Sequence, residues 1–378
     1  MAGLAGMSDL PAITITKQAP INQPVPLPCK GEECTEEEEN LAYEQFKDKF
    51  PGREFYIPDE QARDQFRDNL DTLYGLRTEC TLSPYDATFE IGKFADLSLD
   101  QMIKLMGGAL PEGGQIMYKV PFRYMKTWTW HKSWDWRNAK VVPAVRDQKH
   151  CGSCYAFTVS ELIAIQSNIE KRRVIPDGQG SAYSAQYIID CFQQPQALGC
   201  RGGRPSSLLK YLAACGDQCA LPLEKCYHYN STEMTCDKNV CKASKTGKVK
   251  WSTFLTVASK SEKETMANLL RWGPALAMVE LGPAWQMYSG KGIIRAYHCG
   301  VKTNHAILIV GYDYAGEVPY YIIKNSWGSD WGDHGYAKLE AGANSCGIAQ
   351  SVIFACVENN CGQIRSPDYL VQHPNAPK

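Results

Sequence analysis

The chain has 378 residues, enough for one or two domains, and its 40 Lys and Arg residues nearly balance its 41 Asp and Glu residues. That balance leaves no global field to attract nucleic acid or an acidic membrane surface, so neither is an expected partner. The apolar runs, such as 306–311, are far shorter than the ~18 residues that a spanning helix requires. The sequence therefore predicts no membrane span.

Residues 1–40 contain several prolines and the acidic run 36–39, a composition typical of a disordered leader. In residues 41–76, aromatic and leucine residues recur at helical spacing on both sides of Pro58. This pattern predicts two amphipathic helices separated by a turn.

The segment Thr88–Ile91 alternates polar and apolar residues, which predicts a short strand running towards Phe94. Residues 106–133 are rich in Gly and Pro and are typical of a linker.

A second composition, rich in Cys, Gly and aromatic residues, begins near Trp134. Its first half predicts helices, at a start near Cys154 and over 181–191 and 206–215. Its second half predicts strands, over 275–281, 306–311, 320–324, 336–340 and 352–356. A helical half followed by a sheet half indicates an α+β architecture with a cleft between the halves.

The sixteen cysteines favour a disulfide framework made in an oxidising compartment. A zinc site is the alternative interpretation, but only Cys151 and Cys154 have the C-x-x-C spacing. We therefore expect no metal and no cofactor. Asn230, in Asn-Ser-Thr, is a glycosylation acceptor that fits a secretory route. Residues 1–10 do not resemble a secretory signal, so the signal would have been removed or would lie upstream, and a cytosolic location is the minority interpretation.

The segment from Gln148 to Phe157 reads QKHCGSCYAF and contains the C-G-[SA]-C-[WY] signature of papain and the cathepsins. Over roughly residues 41–357, the chain resembles the papain-like cysteine proteases. The resemblance implies an α+β, two-lobed fold, with a helical lobe, an antiparallel β-sheet or barrel lobe and a cleft between them. A mainly helical inhibitory prodomain is expected to precede it.

The resemblance also implies the catalytic roles. Cys154 would be the nucleophile, which reacts only as a thiolate, and the helix that begins there would favour the anion. His305 would be its base, and Asn325 would orient the imidazole. The Gln148 side chain and the Cys154 amide would stabilise the oxyanion. The cysteines from Cys151 onward number thirteen, so complete pairing leaves one thiol free, and the resemblance assigns it to Cys154.

The same resemblance implies three disulfides, Cys151–Cys200, Cys191–Cys236 and Cys299–Cys346. The pairing of the other main-domain cysteines stays open, namely Cys215, Cys219, Cys226, Cys241, Cys356 and Cys361. The leader cysteines Cys29, Cys34 and Cys80 are also unassigned.

A glycine-rich cleft wall at Gly202 and Gly203 would let a substrate backbone approach closely, and Trp327 would shield the His305–Asn325 bond. The pocket for the residue two before the scissile bond would be lined by Arg204, Pro205, Met278, Ala306 and Ser351. Arg204 would lie on the solvated rim, or alternatively would select an acidic side chain.

Arg63, Phe66, Asn69 and Leu73, followed by Phe94-Ala95-Asp96, resemble the signature of an inhibitory propeptide. Such a leader would pack on the main domain and cross the cleft in the reverse direction to substrate. Acid would weaken its docking if carboxylates such as Asp96 are paired. A generic helical hairpin is the alternative for this region.

The expected domains are therefore a disordered leader (1–40), a helical propeptide (41–105), a linker with the processing site (106–133) and a peptidase domain (134–378). The expected function is a cysteine endopeptidase made as a zymogen, with protein and peptide substrates and its own propeptide as inhibitor. It would be a monomer in a lysosome-like compartment or secreted. The alternative is a structural or binding protein that keeps the fold without catalysis, which Lys149, His150 and Tyr155 favour because they depart from the family pattern.

Overall fold

The computed structural model describes nine stretches of the chain, residues 34–51, 57–79, 83–109, 131–170, 182–192, 197–215, 219–239, 251–257 and 262–357. The predicted disorder of residues 1–33 and the processing site predicted within 110–130 lie outside the described residues.

The helices of the described residues are α1 (Glu36–Lys49), α2 (Asp59–Glu79), α3 (Leu99–Met106), α4 (Cys154–Glu170), α5 (Ala185–Cys191), α6 (Pro205–Cys215), α7 (Glu262–Trp272) and α8 (Pro283–Gln286). The strands are β1 (Ser133–Asp135), β2 (Trp251–Val257), β3 (Ala275–Val279), β4 (His305–Asp313), β5 (Tyr320–Lys324), β6 (Tyr336–Glu340) and β7 (Val352–Val357). The five strands predicted in the second half of the chain are all present as β3 to β7. The sequence patterns missed β1, β2 and α7.

Helix α1 begins within the segment that was expected to be disordered. Thr35 caps it, because its hydroxyl accepts the Glu38 amide while the Glu38 carboxylate accepts the Thr35 amide. The acidic run 36–39 occupies the first turn, where negative charge complements the positive end of the helix dipole. The prediction of disorder is therefore wrong for residues 36–40.

Helices α1 and α2 form the predicted pair and pack through aromatic rings. Phe46 and Phe66 are fully buried, and their ring centroids lie 4.9 Å apart. Farther along α2, the buried Asn69 side chain donates to the carbonyl oxygens of Ala95 and Leu97, each at 2.8 Å. Asn69 thus holds the returning chain against α2.

The predicted strand at 88–94 does not form. Phe89 instead makes a single bridge with Tyr288 of the main domain, and Asp86 makes one with Ile293. The alternating pattern reflects the burial of Phe89 and Ile91 against that domain rather than a strand of the leader. The following helix, α3, was not predicted, although Ser98 and Gln101 form a capping box that the sequence pattern S-x-x-Q indicates.

The sheet has the strand order β2-β7-β3-β4-β5-β6, with β1 paired to β4. All pairs are antiparallel. Alternate residues of β3 and β4 enter two different cores, so that Leu276 and Leu308 face one core while Ala277 and Ile307 face the other. A sheet buried on both faces explains why these strands read as continuous apolar runs.

Helix α4 covers one face of the sheet and is buried from Cys154 to Ile169. The helix therefore packs on all sides. The chain before the main domain, described over residues 34–109 and called the leader from here on, covers the other face of the sheet. Its residues Phe66 and Phe94 share a core with Trp327 and Ile307. In the part of the chain that the structure describes, no helix has the length and apolarity to cross a bilayer.

We predict that Asn69→Ala destabilises the leader by about 1–3 kcal/mol, because the buried Ala95 carbonyl loses its donor and the Leu97 carbonyl keeps only the one from Gln286. Urea unfolding of the full chain, monitored by tryptophan fluorescence, measures this change. Asp71→Ala is the control, since Asp71 lies exposed on the same helix and its loss should change the midpoint little. An equal midpoint for the two variants would contradict the role of Asn69.

Candidate active site

Cys154 is the first residue of α4 and is fully buried. It is the free cysteine among the described residues. Its thiol donates to the carbonyl oxygen of Gly107 at 3.0 Å, and it packs with Met278, Ala306 and the leader residue Ala109. The thiol is thus a hydrogen-bond donor to the leader in this state.

His305 begins β4, directly before Ala306, and is fully buried. Its Nε2 lies 2.8 Å from Oδ1 of Asn325. The Ser326 amide also donates to this Oδ1, which identifies that atom as the oxygen and an acceptor. Nε2 must therefore carry the proton, and Nδ1 has the lone pair of a base. Nδ1 is buried, and the backbone of the leader residue Met106 is the neighbouring group that, with Asn325, favours the charged imidazole and so raises the pKa of His305 against desolvation.

Burial keeps both reactive groups neutral in this state. Desolvation raises the pKa of Cys154 to about 12, against the smaller opposite effect of the backbone amide of Ala306. Desolvation lowers the pKa of His305 to about 4, although its hydrogen bond to Asn325 favours the charged form. A thiol and a neutral imidazole are therefore present across the physiological pH range.

The ring of Trp327 covers the imidazole, with centroids 4.9 Å apart. Trp327 is fully buried, and the leader residue Phe94 packs edge-on against it at 5.3 Å. The ring therefore lies where it can shield the His305–Asn325 hydrogen bond from solvent.

Gln148 is buried and oriented by hydrogen bonds at both ends of its amide. Its Oε1 accepts the Ser326 hydroxyl at 2.6 Å, so Nε2 must face the other way. Nε2 donates to the carbonyl oxygens of Met106 and Cys151, each at 3.0 Å. The carbonyl oxygen of the leader residue Met106 thus accepts a hydrogen bond from Gln148 Nε2, the group that is expected to stabilise the oxyanion.

The leader crosses the cleft from the end of α3 at Met106 to Ala109. The Gly108 carbonyl accepts the Gly203 amide at 2.7 Å, and the Ala109 amide donates to Asn304 at 3.0 Å. Ala109 and Gly203 form a parallel bridge. Together with the contacts of Met106 and Gly107, every residue of this segment bonds the main domain through its backbone.

Two glycines allow this close approach. Gly108 has φ +103°, and a Cβ there would lie 2.2 Å from the Gly152 carbonyl oxygen. A Cβ on Gly203 would lie 2.7 Å from the Tyr155 ring. Both positions therefore exclude a side chain without displacement of the neighbouring groups.

The predicted pocket residues divide into two groups. Met278 and Ala306 are fully buried and contact Cys154 and Ala109. Of the three others, Pro205 is buried as the first residue of α6, and Arg204 and Ser351 are partly exposed. Gly202 belongs to the cleft wall, and a Cβ there would lie 2.4 Å from the Gly108 carbonyl oxygen.

The structure contains the three disulfides that the resemblance implied, Cys151–Cys200, Cys191–Cys236 and Cys299–Cys346. It also joins Cys215 to Cys219, a pairing that the sequence left open. Cys34 and Cys226 are disulfide-bonded as well. Four other cysteines, Cys29, Cys80, Cys241 and Cys361, lie outside the described residues, as does the side chain of Cys356. Asn230, the glycosylation candidate, is exposed.

The sequence patterns missed a tyrosine that supports the loop from Gln148 to Ser153. The Tyr229 hydroxyl donates to the Gln148 carbonyl and lies 2.9 Å from Ser153 Oγ. Its ring packs edge-on against Phe157 at 4.7 Å. Tyr229 lies between Cys226 and Cys236, in a stretch where no local motif marks an aromatic residue as part of the site.

Comparison with known proteins agrees with this geometry. The model of the papain family cysteine protease domain matches residues 130–356. The chain belongs to the papain family of cysteine proteases. Among papain-family relatives, cysteine proteinase 3 of Solanum lycopersicum is 30% identical over 317 residues, which cover 81% of this chain and 82% of that protein.

Other papain-family relatives match a shorter stretch. The oryzain gamma chain of Oryza sativa subsp. japonica is 35% identical over 227 residues, or 59% of each chain. Cathepsin O of Mus musculus is 38% identical over 220 residues, which cover 58% of this chain and 65% of that protein. The chain thus spans less than two thirds of the length of these two relatives.

Solved structures extend the similarity to the leader. A digestive procathepsin L2 proteinase from Tenebrio molitor larval midgut superposes with a TM-score of 0.72 and 26% identity, over 84% of this chain and 99% of that chain. The proform of the ragweed pollen cysteine protease Amb a 11 has the same fold, with a TM-score of 0.70 and 22% identity, over 86% of this chain and 96% of that chain. The predicted papain-like α+β fold is therefore confirmed.

We predict that iodoacetamide does not modify Cys154 of the intact chain between pH 5 and 9. The thiol is buried and its pKa is raised to about 12, so almost no accessible thiolate exists in that range. Intact mass spectrometry before and after removal of the leader measures the labelling. Labelling of the leader-free enzyme at Cys154 is expected, and rapid labelling of the intact chain would contradict the prediction.

Proposed function

We propose that this papain-family protein is a cysteine endopeptidase made as an inhibited zymogen. The observation that carries the proposal is the arrangement of a free thiol at the start of α4 beside a His305–Asn325 pair, with a leader backbone across all of them. Leader residues before and after Gly107, the residue at the Cys154 thiol, also bind in the cleft. A substrate chain can therefore continue beyond the scissile bond at both of its ends. This favours cleavage within a chain over removal of terminal residues.

The reaction follows from the residues that surround the thiol. Once water and substrate replace the leader, desolvation falls and the proton moves from Cys154 to Nδ1 of His305. The thiolate attacks the scissile carbonyl carbon, and the oxyanion is stabilised by Gln148 Nε2, the donor that Met106 occupies in the zymogen.

The imidazolium then protonates the leaving amine, which leaves a thioester on Cys154. Water, deprotonated by His305, hydrolyses this thioester and restores the thiol. Asn325 holds the imidazole ring through Nε2 in each step.

Three features support inhibition by the leader. The Cys154 thiol donates its proton to the carbonyl oxygen of Gly107, so the group that faces the leader is a thiol and not the thiolate that attacks. The bridge from Ala109 to Gly203 is parallel, whereas a substrate of the opposite direction would pair antiparallel. Both reactive groups are also neutral, for the reasons of burial given above.

The docking of the leader is suited to release by acid. The leader residue Phe89 packs on His298 at 5.2 Å, and the Arg295 amide donates to Nδ1 of His298. Burial lowers the pKa of His298 to about 4. A histidine with the ordinary pKa of 6.5 takes up a proton before the buried His298 does. Protonation therefore favours release, and the docked state loses stability as pH falls from about 6.5 towards about 4.

The pocket beside Cys154 is suited to an apolar substrate side chain. Met278 and Ala306 surround the Ala109 methyl group in the zymogen, and a larger apolar side chain of substrate would bury more area there. The disulfides fit folding in an oxidising compartment, so the proposed location is a lysosome-like compartment or the exterior.

We predict that Cys154→Ser lowers kcat on a peptide substrate by roughly 10⁴-fold or more, because the nucleophile is lost. His305→Ala should lower kcat by a similar factor, because His305 is the proposed base. Asn325→Ala should cost less, roughly 10- to 100-fold, because Trp327 still holds the ring. Peptide hydrolysis by acid-processed enzyme, with thermal unfolding as the check on folding, measures these effects. Full activity of Cys154→Ser would refute catalysis by this thiol and favour a structural or binding role.

We predict that Gly108→Val releases the cleft without acid, because the added side chain collides with the backbone of Gly152. Fluorogenic peptide hydrolysis at neutral pH should rise at least several-fold over the wild-type zymogen. Gly75→Ala is the control, since a Cβ at Gly75 meets nothing within 4 Å and favours the helix. Activity that rises equally in both variants would show that the Gly108 contact does not close the cleft.

A further inference from the structure

The leader places a lysine ammonium group in a site made by the protease domain. Lys93 is almost buried, with 8% of its surface exposed. Its Nζ donates to Asp330 Oδ1 at 2.8 Å, to the Trp327 carbonyl at 2.7 Å and to Asp147 Oδ2 at 3.1 Å. These three acceptors match the three donors of an ammonium group.

The acceptors are held by the protease domain itself. Asp147 and Trp327 form an antiparallel backbone bridge, and the Gly328 amide donates to the Arg146 carbonyl next to Asp147. The second oxygen of Asp147 accepts the Lys149 amide at 2.8 Å. The leader contributes only the cation, so the arrangement of acceptors remains when the leader departs.

The site lies close to the reactive groups. Asp147 directly precedes Gln148, and Trp327 contacts the His305 ring. Gly203 and Met278 contact a different part of the leader, Ala109, which comes two residues after the Gly107 carbonyl at the Cys154 thiol. A substrate whose acyl part binds Gly203 would therefore extend its amine-product part over Trp327, towards the ammonium site.

Loss of the leader would leave two carboxylates and a carbonyl oxygen near one another without the lysine that they bind. A bound cation would offset the repulsion between the two carboxylates, which is felt because they lie close together in a partly desolvated site. The structure shows which cation fits, since a primary ammonium on a flexible stem already occupies the site. An extended chain advances about 3.4 Å per residue, so the first few substrate residues after the scissile bond are within reach.

We propose that, in the leader-free enzyme, Asp147, Asp330 and the Trp327 carbonyl form a subsite for a Lys or Arg side chain within the first three residues after the scissile bond. Lys93 of the leader occupies this subsite in the zymogen as an internal substitute for that side chain. The proposal rests on the proposed peptidase function and adds a preference for basic residues on the amine-product side.

The test uses enzyme released by processing of the full chain, assayed in EDTA so that no divalent cation competes for the carboxylates. Quenched fluorescent peptides share one acyl side and carry Lys, Ala or Glu at each of the three positions after the scissile bond. We expect kcat/KM for Lys to exceed that for Ala by about 3- to 10-fold at one of these positions, with Glu below Ala. The ratio should fall as salt is raised, because the site is partly exposed.

Asp330→Asn keeps the shape of the site and removes one charge, so the Lys-to-Ala ratio should fall towards one. Asp333→Asn is the matched control, because Asp333 is an exposed carboxylate on the same loop, whereas the ion pairs of Lys93 are with Asp147 and Asp330. Its ratio should equal that of the wild type.

Two failures can be told apart. Cleavage of the Ala and Lys peptides at equal rates at all three positions would overturn the subsite while leaving the peptidase function intact. Cleavage of none of the peptides would refute the peptidase function and, with it, the subsite. A Lys preference that persists in Asp330→Asn, or that disappears equally in Asp333→Asn, would also overturn the assignment.

Discussion

Backbone hydrogen bonding between the leader segment Met106–Ala109 and the cleft is the interaction on which the state of the whole site depends. Each residue of the segment bonds the protease domain through main-chain atoms, so the cleft needs no particular side chain to be filled. This pairing excludes water from Cys154 and His305. The raised pKa of the thiol and the lowered pKa of the imidazole both follow from that exclusion.

The leader is also part of a core. Its residues Phe66 and Phe94 pack in the same apolar cluster as Trp327, the ring that covers the imidazole. Polar contacts align this packing, since Arg295 pairs with the buried Asp86 at 2.6 Å and Tyr297 donates to the same carboxylate. Inhibition and folding are therefore coupled, because release of the leader uncovers apolar surface at the site where catalysis takes place.

A buried ion pair connects the two lobes behind the reactive groups. Lys324, the residue before Asn325, is fully buried and pairs with Glu161 of α4, which also binds Arg146. The pair joins the helix that carries Cys154 to the strand that leads into Asn325. Removal of one partner would leave an uncompensated charge in the interior, so the pair restricts how the lobes shift relative to each other.

The cleft wall and the ammonium site show the protease domain binding the leader in two ways. At Gly203 the contact is between backbones and independent of sequence. At Asp147 and Asp330 it depends on charge. The first kind of contact suits a peptidase that accepts many chains, and the second introduces selectivity on one side of the scissile bond.

The sequence by itself determined the residue types that carry the chemistry and the helical and strand segments with strong periodicity. The motif around Cys154 carries the family resemblance from which the expected roles of Cys154, His305, Asn325 and Gln148 come, and β3 to β7 follow from apolar runs. Only the tertiary structure decided that Met106 occupies the Gln148 donor and that Tyr229 supports the loop that begins at Gln148. The site of Lys93 between two carboxylates also emerged only there. The physical reason is that these contacts join residues far apart in the chain, and local spacing carries no information about which distant backbone will approach.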